Sequence, residues 1–335
     1  LLDPSDAPPF IFRSSLPPPS LPPPSFPPCR ITIRLTTTRF FHTVGFMILA
    51  NRICGQSGII KTIVVGRPQW ATCTFVLGLL FGGHSLFAKL PEAYESVDPE
   101  ADTCKLVCGG FLVGAGTTLS NGCTSGHGLC GLSRLSLRSF AAVVTFVLAA
   151  IISASSADDF SVGSLNIVVT ETPEETLKLA TQLAGALTAA YFGALLFTAP
   201  GTLLRDIMSG LWAGTCSAVG FGIGGMAKPS VVLGGLSLAN FDATLWLVFC
   251  SGLATTFVGY RIAELQEETP PTRARSGTVD AKLILGAMLF GIGWGMIGMC
   301  PGPHVSTLGA LPASMGHWYA LMGVAVGMHG AAFFV

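Results

Sequence analysis

From residue 40 onward the sequence alternates apolar runs with short breaks containing glycine or proline, and several of the runs are too short to cross a bilayer unaided. The runs span 40–50, 53–66, 71–89, 104–120, 139–155, 178–199, 203–224, 243–262, 280–299 and 318–335, whereas a membrane helix needs about 20 apolar residues. Irregular backbone at membrane depth is tolerated only where it is buried in protein or lines a cavity. Half-helices meeting at unwound breaks inside the protein account for both the short runs and their glycines. The expectation is an all-α polytopic membrane protein with short re-entrant or half helices around a central path.

Composition agrees, because only 11% of the 335 residues are charged, against roughly one quarter in a typical soluble domain. The 18 basic and 18 acidic residues cancel, so nothing supports nucleic-acid binding electrostatically. The lipid bilayer is the expected surrounding, in a plasma membrane or an organellar inner membrane. Many of the 41 glycines recur as G-x-G or small-x-x-x-small spacings, which let helix backbones approach closely in lipid. Most of the ten cysteines lie in apolar runs. Of these, Cys73, Cys104, Cys108, Cys216 and Cys250 read as buried, inert small hydrophobes.

Four divisions follow. Residues 1–39 begin with a proline- and serine-rich stretch (SLPPPSLPPPSFPP) that reads as disordered or polyproline II. The basic stretch RITIRLTTTRFF that follows also fits part of an organellar targeting segment. Residues 40–156 form a first half, 157–176 a polar connection and 177–335 a second half. A further polar connection runs over 264–280.

The two halves carry matching breaks. Gly114, Gly116, Cys123 and His127 in GAGTTLSNGCTSGH pair with Gly291, Gly293, Cys300 and His304 in GIGWGMIGMCPGPH, each pair 177 residues apart (291 against 114, 300 against 123). Four coincident offsets point to a two-fold pseudo-repeat with a Cys-x-x-x-His break in each half. Matching interrupted helices in two halves mark a transport site at their interface. Pro301, Gly302 and Pro303, like Gly122 and the Ser125-Gly126 pair, place free backbone N–H groups and a helix-dipole end at the break. An anion is favoured there. His127 and His304 suit either hydrogen bonding to that anion or structural capping, and Cys123 and Cys300 add soft, polarisable thiols. Thiols beside an anion-seeking helix end suggest a sulfur-containing anion.

A third break, NRICGQSGI (51–59), sets Arg52 and Cys54 beside a glycine, and GIGGMAKPSVVLG (222–234) sets Lys228 before Pro229. Both cations fit either interfacial anchors or anion steering.

On these residues the sequence resembles the YeeE/YedE sulfur-transport family. GCTSGHGLCGLSRLSLRS (122–139) and NRICGQSGI resemble the half-size members. The segments 225–249 and 283–305 are similar to the companion half-size subunit, so the chain looks like a fusion of the two. The resemblance covers about residues 45–335. It implies two pseudo-symmetric halves and a narrow path for thiosulfate, with cysteines handing the ion along through weak S–H···S hydrogen bonds. Carried over by motif, Cys123 and Cys300 are the matched relay positions and Cys54 a third. The resemblance also leaves room for a soluble sulfur carrier or sulfurtransferase as partner, and no cofactor is expected.

Two rival readings remain at this stage. Cys123, His127 and Cys130 have Cys-x3-His-x2-Cys spacing, which suits zinc or copper(I) in a soft-metal transporter, although no fourth ligand is evident. A membrane thiol oxidoreductase or sulfurtransferase with Cys123 as nucleophile needs the lowered thiol pKa that a helix N-terminus supplies, but the chain has no C-x-x-C pair and no soluble catalytic domain.

Overall fold

The computed structural model describes residues 55–66, 68–97, 102–156, 202–239, 241–266 and 278–335, with isolated positions between 182 and 198. Arg52, Cys54, the proline-rich start, the runs 40–50 and 178–199 and the connection 157–176 lie outside the described residues. In chain order the helices are α1 (Gln56–Val64), α2 (Trp70–Phe87), a 3-10 turn (Pro91–Ala93), α3 (Thr103–Ser120), a π-helical segment (Thr124–Gly131), α4 (Leu137–Ser156), α5 (Leu203–Ile223), α6 (Pro229–Leu236), α7 (Thr244–Gln266), α8 (Ala281–Ile297), α9 (Pro301–Ala310) and α10 (Met315–Ala332). No strand occurs among the described residues. The protein is all-α.

Side-chain caps fix several starts. Asp102 accepts from the Lys105 N–H at 3.1 Å and Asp280 from the Leu283 N–H at 2.9 Å, opening α3 and α8. Each satisfies a donor that the first helical turn leaves without a partner. Proline opens α6 and α9, where its missing N–H costs nothing. Among the described residues, Trp70–Phe87, Leu137–Ser156, Thr244–Ile262 and Ala281–Ala310 are long and apolar enough to cross a membrane; the last of these runs through the α8–α9 break. A fifth span results if α3 and the π-helical segment, bent by 42° at their break, count as one.

Helix α4 shows how the molecule meets lipid. Phe140, Val144, Leu148 and Ile152 recur every fourth residue and are exposed, while Ser139, Ala142, Phe146 and Ala150 on the other face are buried. An exposed apolar stripe with small and polar residues turned inward is the arrangement a bilayer favours, since lipid tails are as apolar as leucine and association depends on close packing.

That packing uses glycine. Helices α3 and α8 cross where a Cβ on Gly116 would lie 2.7 Å from the Gly286 carbonyl oxygen, and one on Gly293 would lie 2.6 Å from that of Gly109. Adding 177 to 109 and 116 gives 286 and 293, so the two contacts exchange under the repeat. The same offset relates the ends of these helices. Asn121 closes α3 in the left-handed conformation (φ 60°) and Gly298 closes α8 likewise (φ 67°). The repeat seen in the sequence is thus a repeat of backbone conformation.

The two caps differ in tolerance. A Cβ at Gly298 would stand 2.7 Å from the Pro229 carbonyl oxygen, in addition to the roughly 1–2 kcal/mol that left-handed backbone costs an L-residue. Gly298→Ala is expected to lower the thermal midpoint in detergent clearly, while Asn121→Gly leaves it nearly unchanged. Equal behaviour of the two variants would contradict this account of the α8–α9 break.

Candidate functional site

After Asn121 the chain runs extended through Cys123 (φ −131°, ψ −163°) into the π-helical segment. After Gly298 it runs extended through Cys300 (φ −98°, ψ 149°) into α9. Each cysteine is the N-cap residue of its short helix and caps no N–H with its thiol. Its carbonyl instead accepts from the histidine four residues on: His127 N–H to Cys123 O at 2.8 Å, and His304 N–H to Cys300 O at 3.0 Å. The Cys-x-x-x-His spacing is therefore one helical turn.

These breaks meet each other and the start of α1. Thr124 Oγ1 lies 3.5 Å from Cys300 Sγ. Ser125 Oγ accepts from the Gln56 N–H at 3.1 Å and lies 3.1 Å from Cys123 Sγ. Gly126 is held against Gly55, where a Cβ on the latter would stand 3.7 Å from the Gly126 Cα. A side chain on Gly302 would overlap the Gln56 amide. Three helix N-termini, those of α1, the π-helical segment and α9, therefore converge.

At this junction lies a cavity of about 90 Å³, room for several waters or one small anion. Gln56, Thr124, Ser125 and Cys300 form its polar wall, and Phe146, Phe221, Trp246, Phe249 and Trp294 much of the apolar one. Cys123 is not on the wall; its buried thiol is one hydrogen bond away, through Ser125. Trp294 is 5% exposed, and its Nε1–H has no hydrogen-bond partner among the described residues. A buried donor left unpaired costs free energy, and a polar occupant of the cavity is one way to relieve it. Trp294 stacks on Phe290, with ring centroids 5.8 Å apart, and meets Phe146 edge-on at 6.1 Å.

Residues 32–152 match the family described as sulphur transport, and residues 205–334 match a family of unknown function. A probable transporter of Xylella fastidiosa (strain 9a5c) is 36% identical over 113 residues, covering 34% of this chain and 83% of that protein. The chain belongs to the YeeE/YedE family. A second probable transporter of the same strain is 30% identical over 105 residues, covering 29% of this chain and 71% of that protein. With its membrane-crossing helices, the chain is a multi-pass membrane transporter of sulphur compounds and not an enzyme.

Within this YeeE/YedE transporter the two motif histidines differ. Both ring nitrogens of His127 are engaged inside the protein, Nδ1 with Ser139 Oγ at 3.1 Å and Nε2 with Ser120 O at 3.0 Å. The ring also covers Gly122, where a Cβ would stand 2.7 Å from its Cδ2. It braces the break to α3 and α4, with no nitrogen left for an anion or a metal. Among the described residues no three His, Cys, Asp or Glu side chains gather closely enough to hold a metal ion. His304 does not line the cavity; Pro303 beside it does. His127→Ala is expected to cost about 1–3 kcal/mol of stability by stranding buried polar partners, read as a lowered thermal midpoint. Unchanged stability with uptake lost would instead make His127 a ligand.

Other expectations are corrected. Cys216 is buried, but Cys104, Cys108 and Cys250 are exposed and Cys73 is half-buried. Cys104 and Cys108 stand one turn apart on α3 with their sulfurs 3.8 Å from each other. Lys228 is off the cavity wall and 8% exposed, within electrostatic reach of the Glu95 and Glu92 carboxylates. Glu95 in turn accepts from the Ser230 N–H at 3.0 Å and from its hydroxyl, capping α6. Burial raises the Glu95 carboxyl above the usual carboxylate range, opposed by Ser230 and Lys228. Gln56 and Trp294 escaped the sequence reading. Gln56 stands two residues beyond Cys54 in the third break, and Trp294 lies within the second motif at a position where the first has Thr117.

Proposed function

We propose that this protein carries thiosulfate across the membrane, with Cys300 and Cys123 as successive thiol stations. The supporting observation is the Cys300 thiol on the wall of a small cavity at which three helix N-termini converge. Thiosulfate pairs a sulfonate-like end, which backbone N–H groups and the Gln56, Thr124 and Ser125 side chains suit, with a soft terminal sulfur for thiols. Sulfate lacks the second. The apolar wall offers few groups to replace the hydration of four hard oxygens.

In this reading Cys123, one hydrogen bond from Ser125, receives the ion from or passes it to Cys300. Cys54 is a third station, while Gly122, Gly126, Pro301 and Gly302 provide the backbone lining. His127 braces the first break. The chain divides into halves at 40–156 and 177–335 joined by 157–176, and a soluble sulfur carrier or sulfurtransferase is the class of protein able to consume the delivered ion.

The test is uptake of radiolabelled thiosulfate by proteoliposomes with sulfate as competitor. Uptake that a tenfold excess of sulfate leaves largely intact is expected. Equal transport of the two ions would contradict the thiol relay.

A further inference from the structure

A second polar cluster sits beside the cavity, and the proposed path does not use it. His304 on α9 and His317 on α10 are 2% and 1% exposed, with ring centroids 5.4 Å apart. His304 Nε2 lies 2.8 Å from the His317 carbonyl oxygen, and His317 Nε2 lies 3.0 Å from the Glu95 carbonyl oxygen. A carbonyl can only accept, so each Nε2 carries its hydrogen and each Nδ1 presents a bare lone pair. Among the described residues neither Nδ1 has a hydrogen-bond partner. Both histidines line a cavity of about 10 Å³ with Thr307, whose hydroxyl is turned away to the Pro303 carbonyl at 3.0 Å.

Two buried acceptors on residues that line a space this small leave few occupants. The volume is at the lower limit for one water, and too tight for a hydrated metal ion or the transported anion. A proton fits. We propose that His304 and His317 form a proton-binding site that couples proton movement to passage of the anion; the proposal rests on the sulfur-anion reading of the neighbouring cavity.

The coupling is electrostatic and short-ranged. Pro303 and Met226 wall both cavities, and His304 is one helical turn beyond Cys300. An anion at Cys300 stabilises a positive charge on His304, and by linkage a proton on the pair strengthens anion binding. In the step itself, a proton from water adds to one Nδ1 lone pair, the imidazole becomes imidazolium, and the same proton returns to water once the anion has left. No bond to the anion forms. Moving negative charge against an inside-negative potential is uphill, and a co-transported proton lowers the net charge moved.

Few other titratable groups stand around the pair. The connection before α3 presents Glu95, whose peptide carbonyl takes the His317 Nε2–H while its carboxylate is held by Ser230. Lys228 acts electrostatically on that carboxylate, and the Tyr94 hydroxyl pairs with Ser306 at 3.3 Å. Among the described residues, His317 is the titratable side chain that acts on His304, and Glu95 acts on His317 through its peptide carbonyl.

The experiment loads proteoliposomes with a pH-sensitive dye and adds thiosulfate outside. Internal acidification that begins with thiosulfate uptake is expected. In the double variant His304→Gln/His317→Gln, which keeps an amide donor for each carbonyl but has no basic nitrogen at the site, the ratio of protons to thiosulfate should fall to the protein-free background. Thiosulfate uptake by the wild type without acidification, or a variant keeping the wild-type ratio, overturns the proposal and leaves the sulfur reading intact. Absence of thiosulfate uptake by the wild type overturns the sulfur reading and the proposal with it. The second measurement needs no variant: nitrogen NMR of ¹⁵N-histidine-labelled wild type in nanodiscs should show Nδ1 protonation on adding thiosulfate at fixed pH. Lone pairs that persist at both nitrogens would refute the site.

Discussion

Cys300→Ala is expected to bring thiosulfate uptake down to the rate of protein-free liposomes while the protein stays folded. The thiol is half-buried on the cavity wall, 3.5 Å from Thr124 Oγ1. Losing one sulfur from such a place costs about 1 kcal/mol of packing, well within a typical stability of roughly 5–15 kcal/mol. Cys123→Ala should behave alike, since it occupies the equivalent N-cap and reaches the cavity through Ser125. Cys250→Ala removes an exposed sulfur and Cys73→Ala a half-buried one, both away from the breaks. Neither should change uptake by more than about twofold, on the order of RT in free energy. If all four variants behave alike, cysteine at the breaks has no special role.

Gly116→Val is expected to abolish folded protein altogether. A Cβ there would overlap the Phe290 backbone nitrogen and stand 2.7 Å from the Gly286 carbonyl oxygen and from the Phe290 Cα. Overpacking costs about 1–3 kcal/mol when side chains can shift, but here the colliding atoms are backbone and no rotamer relieves them. Separating α3 from α8 would also break the reciprocal contact between Gly109 and Gly293. Gly330→Ala is the control, because a Cβ there meets nothing within 4 Å. Size-exclusion profiles after detergent extraction distinguish the two: a monodisperse peak for Gly330→Ala and aggregate for Gly116→Val. A monodisperse, transport-competent Gly116→Val protein would contradict the glycine crossing as the structural centre.

Much of the fold was legible in the sequence because membrane helices announce themselves by length and polarity. The runs 71–89, 104–120, 203–224 and 280–299 lie within two residues of α2, α3, α5 and α8 at each end. The breaks were legible for a different reason: the 177-residue offset links residues whose backbone conformation is duplicated, as Asn121 and Gly298 show. Exposure of cysteines was not legible. An apolar run is equally compatible with a sulfur facing lipid and one facing protein, since both surroundings are apolar, and Cys104, Cys108 and Cys250 proved to face outward. The histidines illustrate a second limit. Identical spacing sets both one turn after a cysteine, yet Ser139 from α4 occupies the Nδ1 of His127, while His304 meets His317 and leaves its own Nδ1 bare. Those partners stand on the next helix, 12 and 13 residues further on, and the Cys-x-x-x-His spacing alone does not say how that helix folds back onto the ring. Gln56 and Trp294 were missed likewise, because a search for matched positions passes over residues that only one half possesses.

The proposed transport path requires a sulfur anion to bind in the cavity beside Cys300. Selenosulfate, in which selenium replaces the terminal sulfur of thiosulfate, tests it most directly through anomalous diffraction from crystals of the transporter soaked with that ion. A selenium peak inside the cavity in contact with Cys300 Sγ is expected, with the oxygen end toward Gln56, Thr124 and Ser125. An empty cavity with selenium bound at the exposed Cys104–Cys108 pair, or on the lipid-facing surface, would contradict it.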